Sequence, residues 1–495
     1  MSEIRKPLRR HALAYAVTGL ATLLAGCAVG PDFRAPELPA AGAQFARAEP
    51  SAVLELASPE VGSDAAFWRQ FQDEQLTQLV EQALRANQEL RGALARLDEA
   101  QALLRESRLD QLPTLTLSGQ ALQQRRSESQ APSGPRSQRS YSAGINASWE
   151  LDLFGRVRRS IEAGSADLRA SAADLAALQV AIAAQVAAGY ADLRGWQKRL
   201  HLAEANAANQ QDTLRLVQLR LAHGSGTDFD LARAQAQLET TRSRIPALQA
   251  RIAVAQHRRL AVLTGQVPEA LIEALISALD APAALPQLPE SIAPGTPAEL
   301  LRRRPDVAAA EARLHAATAR VGVATAELFP RLSLGGLLGS SALSTGALFE
   351  AGSASRSVFL GVDWSFLDVG RVRARIAASE AGAQVALAQY QQSVLLALED
   401  TENALVGLAR TRTEDAHLAQ AAEQRARAEQ LAQRRYRLGS VGLYEVLDAQ
   451  RDLYAAQDAA ADSRVRGLRA AVALYQALAG GWEGQPPTGP MIALQ

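Results

Sequence analysis

The sequence repeats itself at a constant spacing of 215 residues. Trp149 matches Trp364, Gly155-Arg156 matches Gly370-Arg371, Gly224-Ser225 matches Gly439-Ser440, Ala234-Gln235 matches Ala449-Gln450, and Gly265 matches Gly480. Pro113 and Pro330 pair at 217, so the copies differ by one two-residue insertion between strand-like segments. Solenoid units repeat every ~20–50 residues, far below this spacing. The chain is a duplicated half-protein. Each half sets a short episode of two-residue periodicity into long helical runs, a combination that points toward a membrane channel and away from an enzyme.

Charge and residue usage narrow the classes further. Lys plus Arg equals Asp plus Glu at 52 each, so the net charge is zero and no basic stripe marks a nucleic acid as partner. Lys occurs only at Lys6 and Lys198, and neither completes a phosphate-binding GxxxxGK[ST] loop. Residues 1–26 read as an export signal: Arg5, Lys6, Arg9 and Arg10 precede an uncharged, mostly apolar run from Ala12 to Ala25. That run ends Leu24-Ala25-Gly26-Cys27, which looks like a lipobox. Cys27 is the sole cysteine; with it acylated, no disulfide or cysteine-based metal site can form. Ala28 at the next position favours the outer membrane, since many lipoproteins retained at the inner membrane carry Asp there. No second apolar run of ~18 residues is expected, so any crossing of a membrane has to use β-strands.

Residues 27–62, rich in Pro and Ala, read as an extended lipid-anchored tether. A first repeat is expected over 63–265. It opens with a helix to Leu109, in which Leu76, Leu79, Val80, Ala83 and Leu84 recur at three and four. Pro113 ends it, and strands follow at about 113–122 and 139–152. In the second, Tyr141, Ala143, Ile145, Ala147, Trp149 and Leu151 share a face opposite Ser142, Gly144, Asn146, Ser148, Glu150 and Asp152. A long helical hairpin then covers 157–264, and an inter-repeat linker 266–298 holds a short helical stretch at 270–279. The second repeat, 299–481, repeats the plan with strands at about 329–339 and 356–368 and a hairpin at 372–479; residues 482–495 read as a flexible tail. Phe359 and Leu367 break the alternation of the last strand. The hairpins turn at Gly224, Gly226, Gly439 and Gly442. Arg302 to Arg304 read as a solvated helix start.

Four amphipathic strands cannot close a barrel in lipid, because single-chain barrels start at about eight and an open edge leaves backbone groups unsatisfied. Other copies of the chain have to complete the sheet, and strand chemistry alone leaves eight, twelve or sixteen strands open. The polar faces, with Asn146, Glu150, Asp152, Asp363 and Ser365, would line a wet lumen. The apolar faces would meet lipid, with Trp149 and Trp364 at one interface. The rival readings are a soluble β-sandwich, a pore-less lipid-anchored spacer, and an enzyme. No HExxH motif or GxSxG elbow supports the last, and the six His residues are dispersed.

Several motifs together resemble the TolC-like outer-membrane factors, in the NodT/OprM-like lipoprotein subgroup that serves resistance-nodulation-division (RND) efflux systems. They are Cys27 to Phe33 (CAVGPDF), Trp149 to Arg156 (WELDLFGR), Arg303 to Val307 (RRPDV) with Ala310-Glu311, and Tyr436 to Gln450 (YRLGSVGLYEVLDAQ). The resemblance covers essentially the whole chain after the signal. It implies a mainly α fold with transmembrane β: a trimeric twelve-stranded β-barrel, four strands per chain, continued by a long α-helical periplasmic barrel. It also implies a passive outer-membrane duct, lipid-anchored and extending into the periplasm, that joins an inner-membrane RND transporter through a periplasmic adaptor. A duct for protein secretion is the alternative. No cofactor or metal is implied. Carried over residue by residue, the resemblance places an acidic ring of the periplasmic gate at Glu445 and Asp448 and a gate link at Tyr436 and Asp230. It places adaptor contact at the hairpin turns. A further latch position, an Arg in the family, falls on Val441.

Overall fold

The computed structural model describes residues 28–37, 44–47, 66–127, 129, 136–267 and 285–479. Cys27, the stretch 270–279 and the tail 482–495 therefore lie outside the described residues. The chain forms two compact units, one drawn from residues within 1–37, 96–171 and 309–392, the other from 38–95, 172–308 and 393–495.

The first unit centres on one antiparallel sheet in the order β1 (Thr114–Arg125), β2 (Ser137–Leu151), β3 (Arg331–Ala342), β4 (Ala354–Asp363). Its register gathers the apolar positions: Leu117 faces Ile145, which faces Leu338, and Trp149 faces Leu334, which faces Leu360. Side chains paired across strands share a face, so a broad apolar surface results. Most of it is exposed on the single chain, with Leu117 at 84%, Val358 at 82% and Leu338 at 67%. The opposite face is small and polar, and Asn146 donates a 2.7 Å bond to Ser118 across it. Phe359 falls on this polar face, where its ring lies across the bare Cα of Gly335. The strands depart from expectation at their ends. β1 and β2 zip further, through Gln123↔Arg139 and Arg125↔Ser137, because polar pairs continue the ladder without leaving an alternation to read. β4 stops at Asp363, and a 3-10 turn at Phe366–Asp368 replaces its expected end.

In the second unit the helix expected to run unbroken to Leu109 splits into α1 (Glu74–Ala86) and α2 (Gln88–Leu109), the latter continuing into the first unit. Asn87 causes the split. Its backbone is extended, its Oδ1 accepts from the amides of Glu89 and Leu90 at 2.9 and 3.1 Å, and its amide donates to the Leu263 carbonyl. It is a capping residue. The two long helices are α3 (Arg156–Ala222, 67 residues) and α7 (Val369–Arg437, 69 residues), each roughly 100 Å at 1.5 Å per residue. Return helices are α4 (Asp228–Val254) and α8 (Leu443–Ala477). A π-helical stretch, Ala255–Ala261, interrupts the expected continuous return from α4 toward Gly265.

Two further expectations change. One window within α3 is long and apolar enough to cross a membrane, with mean hydropathy 1.4. Neighbouring helices use that apolarity, however: Ile182, Val186, Tyr190 and Leu193 are fully buried. The Arg302 to Arg304 run, expected as a solvated helix start, is exposed only at Arg302. It joins α5 (Pro297–Arg303) to α6 (Pro305–Ala326), and Arg304 is buried. Its guanidinium bonds Asp306 at 3.0 and 2.7 Å, Asp400 at 3.2 Å and the carbonyls of Ala397 and Ala477. Arg303 donates to the Leu478 carbonyl at 2.7 Å. The fork of donors on Arg suits this set of oxygens; the RRPDV motif is a structural junction.

Candidate functional site at the foot of the sheet and the helix tips

At the foot of the sheet, within the first unit, the two repeats make the same contact. The Trp149 indole donates to the Gln111 carbonyl at 2.9 Å, and the Trp364 indole donates to the Leu328 carbonyl at 3.0 Å. Both acceptors lie two residues before the proline that opens a strand. Each Trp thus pins the end of a helix to the base of a hairpin, with its ring at the edge of the apolar face. Glu150 and Asp152, on the face expected to line the lumen, also make contacts here. Glu150 holds Arg156 through bonds of 2.8 and 2.7 Å. Asp152 accepts from the amides of Val157 and Arg158, two of the unpaired donors at the start of α3.

The residues after Cys27, expected as an extended tether, are extended and docked. The Val29 amide donates to the Phe154 carbonyl, and Ala28 packs against Gly155, whose φ of +80° suits glycine. Buried Arg159 donates to the carbonyls of Val29 and Gly30 and to Asp32 at 2.6 Å. Phe33 stacks on His315 at 4.2 Å, and His315 bonds Glu162 at 2.9 Å. Further along, within the second unit, Phe45 is buried and the amides of Ala46 and Arg47 donate to Glu402.

The helix tips, in the second unit, are built by matched turns. Ser225 and Gly224 return hydrogen bonds to Arg220 and Leu221, just as Ser440 and Gly439 do to Arg435 and Tyr436. Gly224 and Gly439 take φ of +71° and +75°, the left-handed residue of a Schellman ending. Gly226 and Gly442 do not. Gly226 is needed for space, since a Cβ there would lie 2.9 Å from the Leu221 nitrogen, whereas one on Gly442 would meet only the end of Glu445.

Behind the turns, Leu214, Val217, Ala234, Leu238, Tyr436, Leu443, Val446 and Leu447 form a buried cluster, with Val441 packed against it. Tyr436 is thus a core residue. Burial pushes its hydroxyl above the ordinary phenol range; nearby Arg220 works against the shift and the Asp230 charge adds to it. No hydrogen bond joins Tyr436 to Asp230 among the described residues. Asp230 bonds the capping Thr227 instead, its carboxylate at 2.8 Å from the hydroxyl and its amide at 3.1 Å. Glu445 sits at the matching position of α8, where Gly442 replaces the capping threonine, and it is exposed. Asp448 is half-buried and paired with Arg451.

The sequence reading missed the arginines. Arg220 lies over the Tyr436 ring at 4.0 Å, and Arg233 lies between Phe229 and Tyr444 at 5.5 and 4.9 Å. Repeat matching pairs Arg220 with Arg435 but offers no signal for Arg233, whose counterpart in the second copy is Asp448.

Known proteins share this organisation. The family model for outer membrane efflux proteins matches residues 79–266 and 296–480. The pyoverdine export outer membrane protein OpmQ of Pseudomonas putida is 35% identical over 86% of this chain and 90% of its own length. The antibiotic efflux pump outer membrane protein ArpC of Pseudomonas putida is 32% identical, covering 96% of each chain. The solved outer-membrane channel OprN aligns with a TM-score of 0.84 and 38% identity over 92% of this chain and 100% of its own. The repeat, the sheet and the matched helix tips are those of one family, and the chain belongs to the outer membrane efflux proteins.

Proposed function

We propose that the chain is the outer-membrane exit duct of a tripartite efflux pump, with three copies closing a twelve-stranded barrel that continues as a helical tube. The observation that carries the barrel is the sheet. It exposes one apolar face, pairs β1 and β4 on one side only, and so needs both lipid and further strands. The duct is passive. An inner-membrane RND transporter supplies the energy, and a periplasmic adaptor meets the tips near Gly224, Gly226, Gly439 and Gly442. Relatives named for pyoverdine export and antibiotic efflux support small-molecule cargo over secreted proteins. Cys27 carries the lipid. The docking of Ala28 and Val29, next to it in sequence, at the foot of the sheet supports this.

Glu445 and Asp448 form the acidic ring of the gate, with exposed Glu445 contributing more of the field than Asp448, which Arg451 offsets. Like charges around a threefold axis concentrate cations. Single-channel conductance in planar bilayers tests both claims. Wild type should give a small, cation-selective current blocked by a trivalent cation, and the Glu445→Ala, Asp448→Ala double variant should lose the block. A block that survives the substitutions refutes the ring, and a folded oligomer that passes no current in wild type or in any tip variant refutes the duct.

A further inference from the structure

We propose that Arg220 is the closing clasp of the tip, and that it holds Tyr436 by the face of its ring and by its backbone, with the hydroxyl the lesser contact. The proposal rests on the duct reading and assigns the contact that keeps the two helical hairpins of one chain together.

Arg220 belongs to the last turn of α3 and Tyr436 to the last turn of α7, so the contact joins the first repeat to the second. The guanidinium carbon lies 4.0 Å from the ring centroid, within the range where a cation is drawn to the face of an aromatic ring. Its Nη2 donates to the Tyr436 carbonyl at 3.0 Å. That carbonyl also accepts from the Gly439 amide in the turn. Arg220 therefore neutralises the carbonyl end of α7 where the chain reverses, a position that favours a cation. Tyr436 is 5% exposed, so the contact is shielded from water on the ring side. The Arg that the family pattern would supply at 441 is Val here, and it packs into the apolar cluster.

Two further stacks follow the same direction. Arg233 lies 4.9 Å from the Tyr444 ring, and Arg244 lies 4.9 Å from the Tyr454 ring. In all three the arginine comes from the first repeat and the tyrosine from the second. The residues 215 positions away do not reciprocate: Tyr436, Tyr444 and Tyr454 correspond to Leu221, Phe229 and Glu239. Arg220 matches Arg435 and Tyr444 matches Phe229, so the copies diverge at Tyr436, Tyr454, Arg233 and Arg244, and the three stacks join one hairpin to the other. The half-buried Arg220 stack on buried Tyr436, reinforced by its backbone bond, is the strongest of the series.

The test combines planar-bilayer conductance of the purified full-length oligomer with hydrogen exchange at the tip amides of residues 219–226 and 438–443. Arg220→Met, which keeps the stem but removes the charge, and Tyr436→Leu, which removes the ring, should each raise conductance severalfold and speed exchange at both tips. Tyr436→Phe, which keeps the ring, should open far less than Tyr436→Leu. Opening by Tyr436→Phe equal to that of Tyr436→Leu would place the latch on the hydroxyl and overturn the proposal, as would Arg220→Met that leaves both readouts at wild-type values. If neither wild type nor any variant passes current, the duct reading fails separately, and unchanged exchange in Arg220→Met still decides against the clasp.

Discussion

Single residues in this chain act mainly by closing backbone that the helices and strands leave open. Trp149 and Trp364 each satisfy a carbonyl at a helix end. Replacing either with Phe keeps the ring and removes one bond, so each should cost about 1 kcal/mol or less, and by equal amounts in thermal unfolding. Gly155 combines a left-handed backbone with Ala28 in the place of a side chain. Gly155→Ala should destabilise by about 2 kcal/mol or more and expose the 28–33 segment to proteolysis. Arg304 gathers five oxygens at a helix junction while its carboxylate partners stay half exposed. Arg304→Ala should therefore cost about 2 kcal/mol, less than a wholly buried pair, as read by denaturant midpoint. The sequence marked the tryptophans because the repeat places them in register and alternation puts them on one face. It hid Arg304, because a run of three arginines looks solvated until the Asp400 side chain and the carbonyls of distant helices are brought to it.

At the scale of elements, periodicity was legible where a segment had two unlike faces and faded elsewhere. β2 declares itself through Tyr141 to Leu151, yet the Gln123–Arg125 end of β1 has no apolar face to announce it. The break at Asn87 was written in its capping chemistry, but the flanking leucines continue a helical spacing across it. The tip helices carry one more feature, a buried carboxyl. Glu429 on α7 lies among Gln433 and Gln450, and Gln450 in turn bonds Thr213 at 3.0 Å. Burial raises its pKa above the ordinary carboxylate range, against the opposing pull of Gln433, Gln450 and Arg437. A carboxyl that holds its proton more tightly when folded adds stability below its unfolded pKa and loses that contribution as pH rises through the folded value. Glu429→Gln should accordingly raise the melting temperature at pH 7.5 by about 2 °C, with the gain vanishing near pH 4. A lower melting temperature for the variant at pH 7.5 would contradict this reading of the polar layer.

The whole molecule follows from the mismatch between what one chain contains and what its surfaces require. Apolar sheet positions such as Leu117, Leu338 and Val358 are too exposed for a finished soluble surface. Unpaired outer edges of β1 and β4 call for strands that the described chain does not hold. Long helices with buried, alanine-rich faces extend from the same hairpins. The central claim is that several copies complete one barrel, and native mass spectrometry of the full-length protein extracted in mild detergent tests it most directly. The account predicts a complex of three chains that persists on dilution, whereas a stably folded monomer with its strands intact would contradict it.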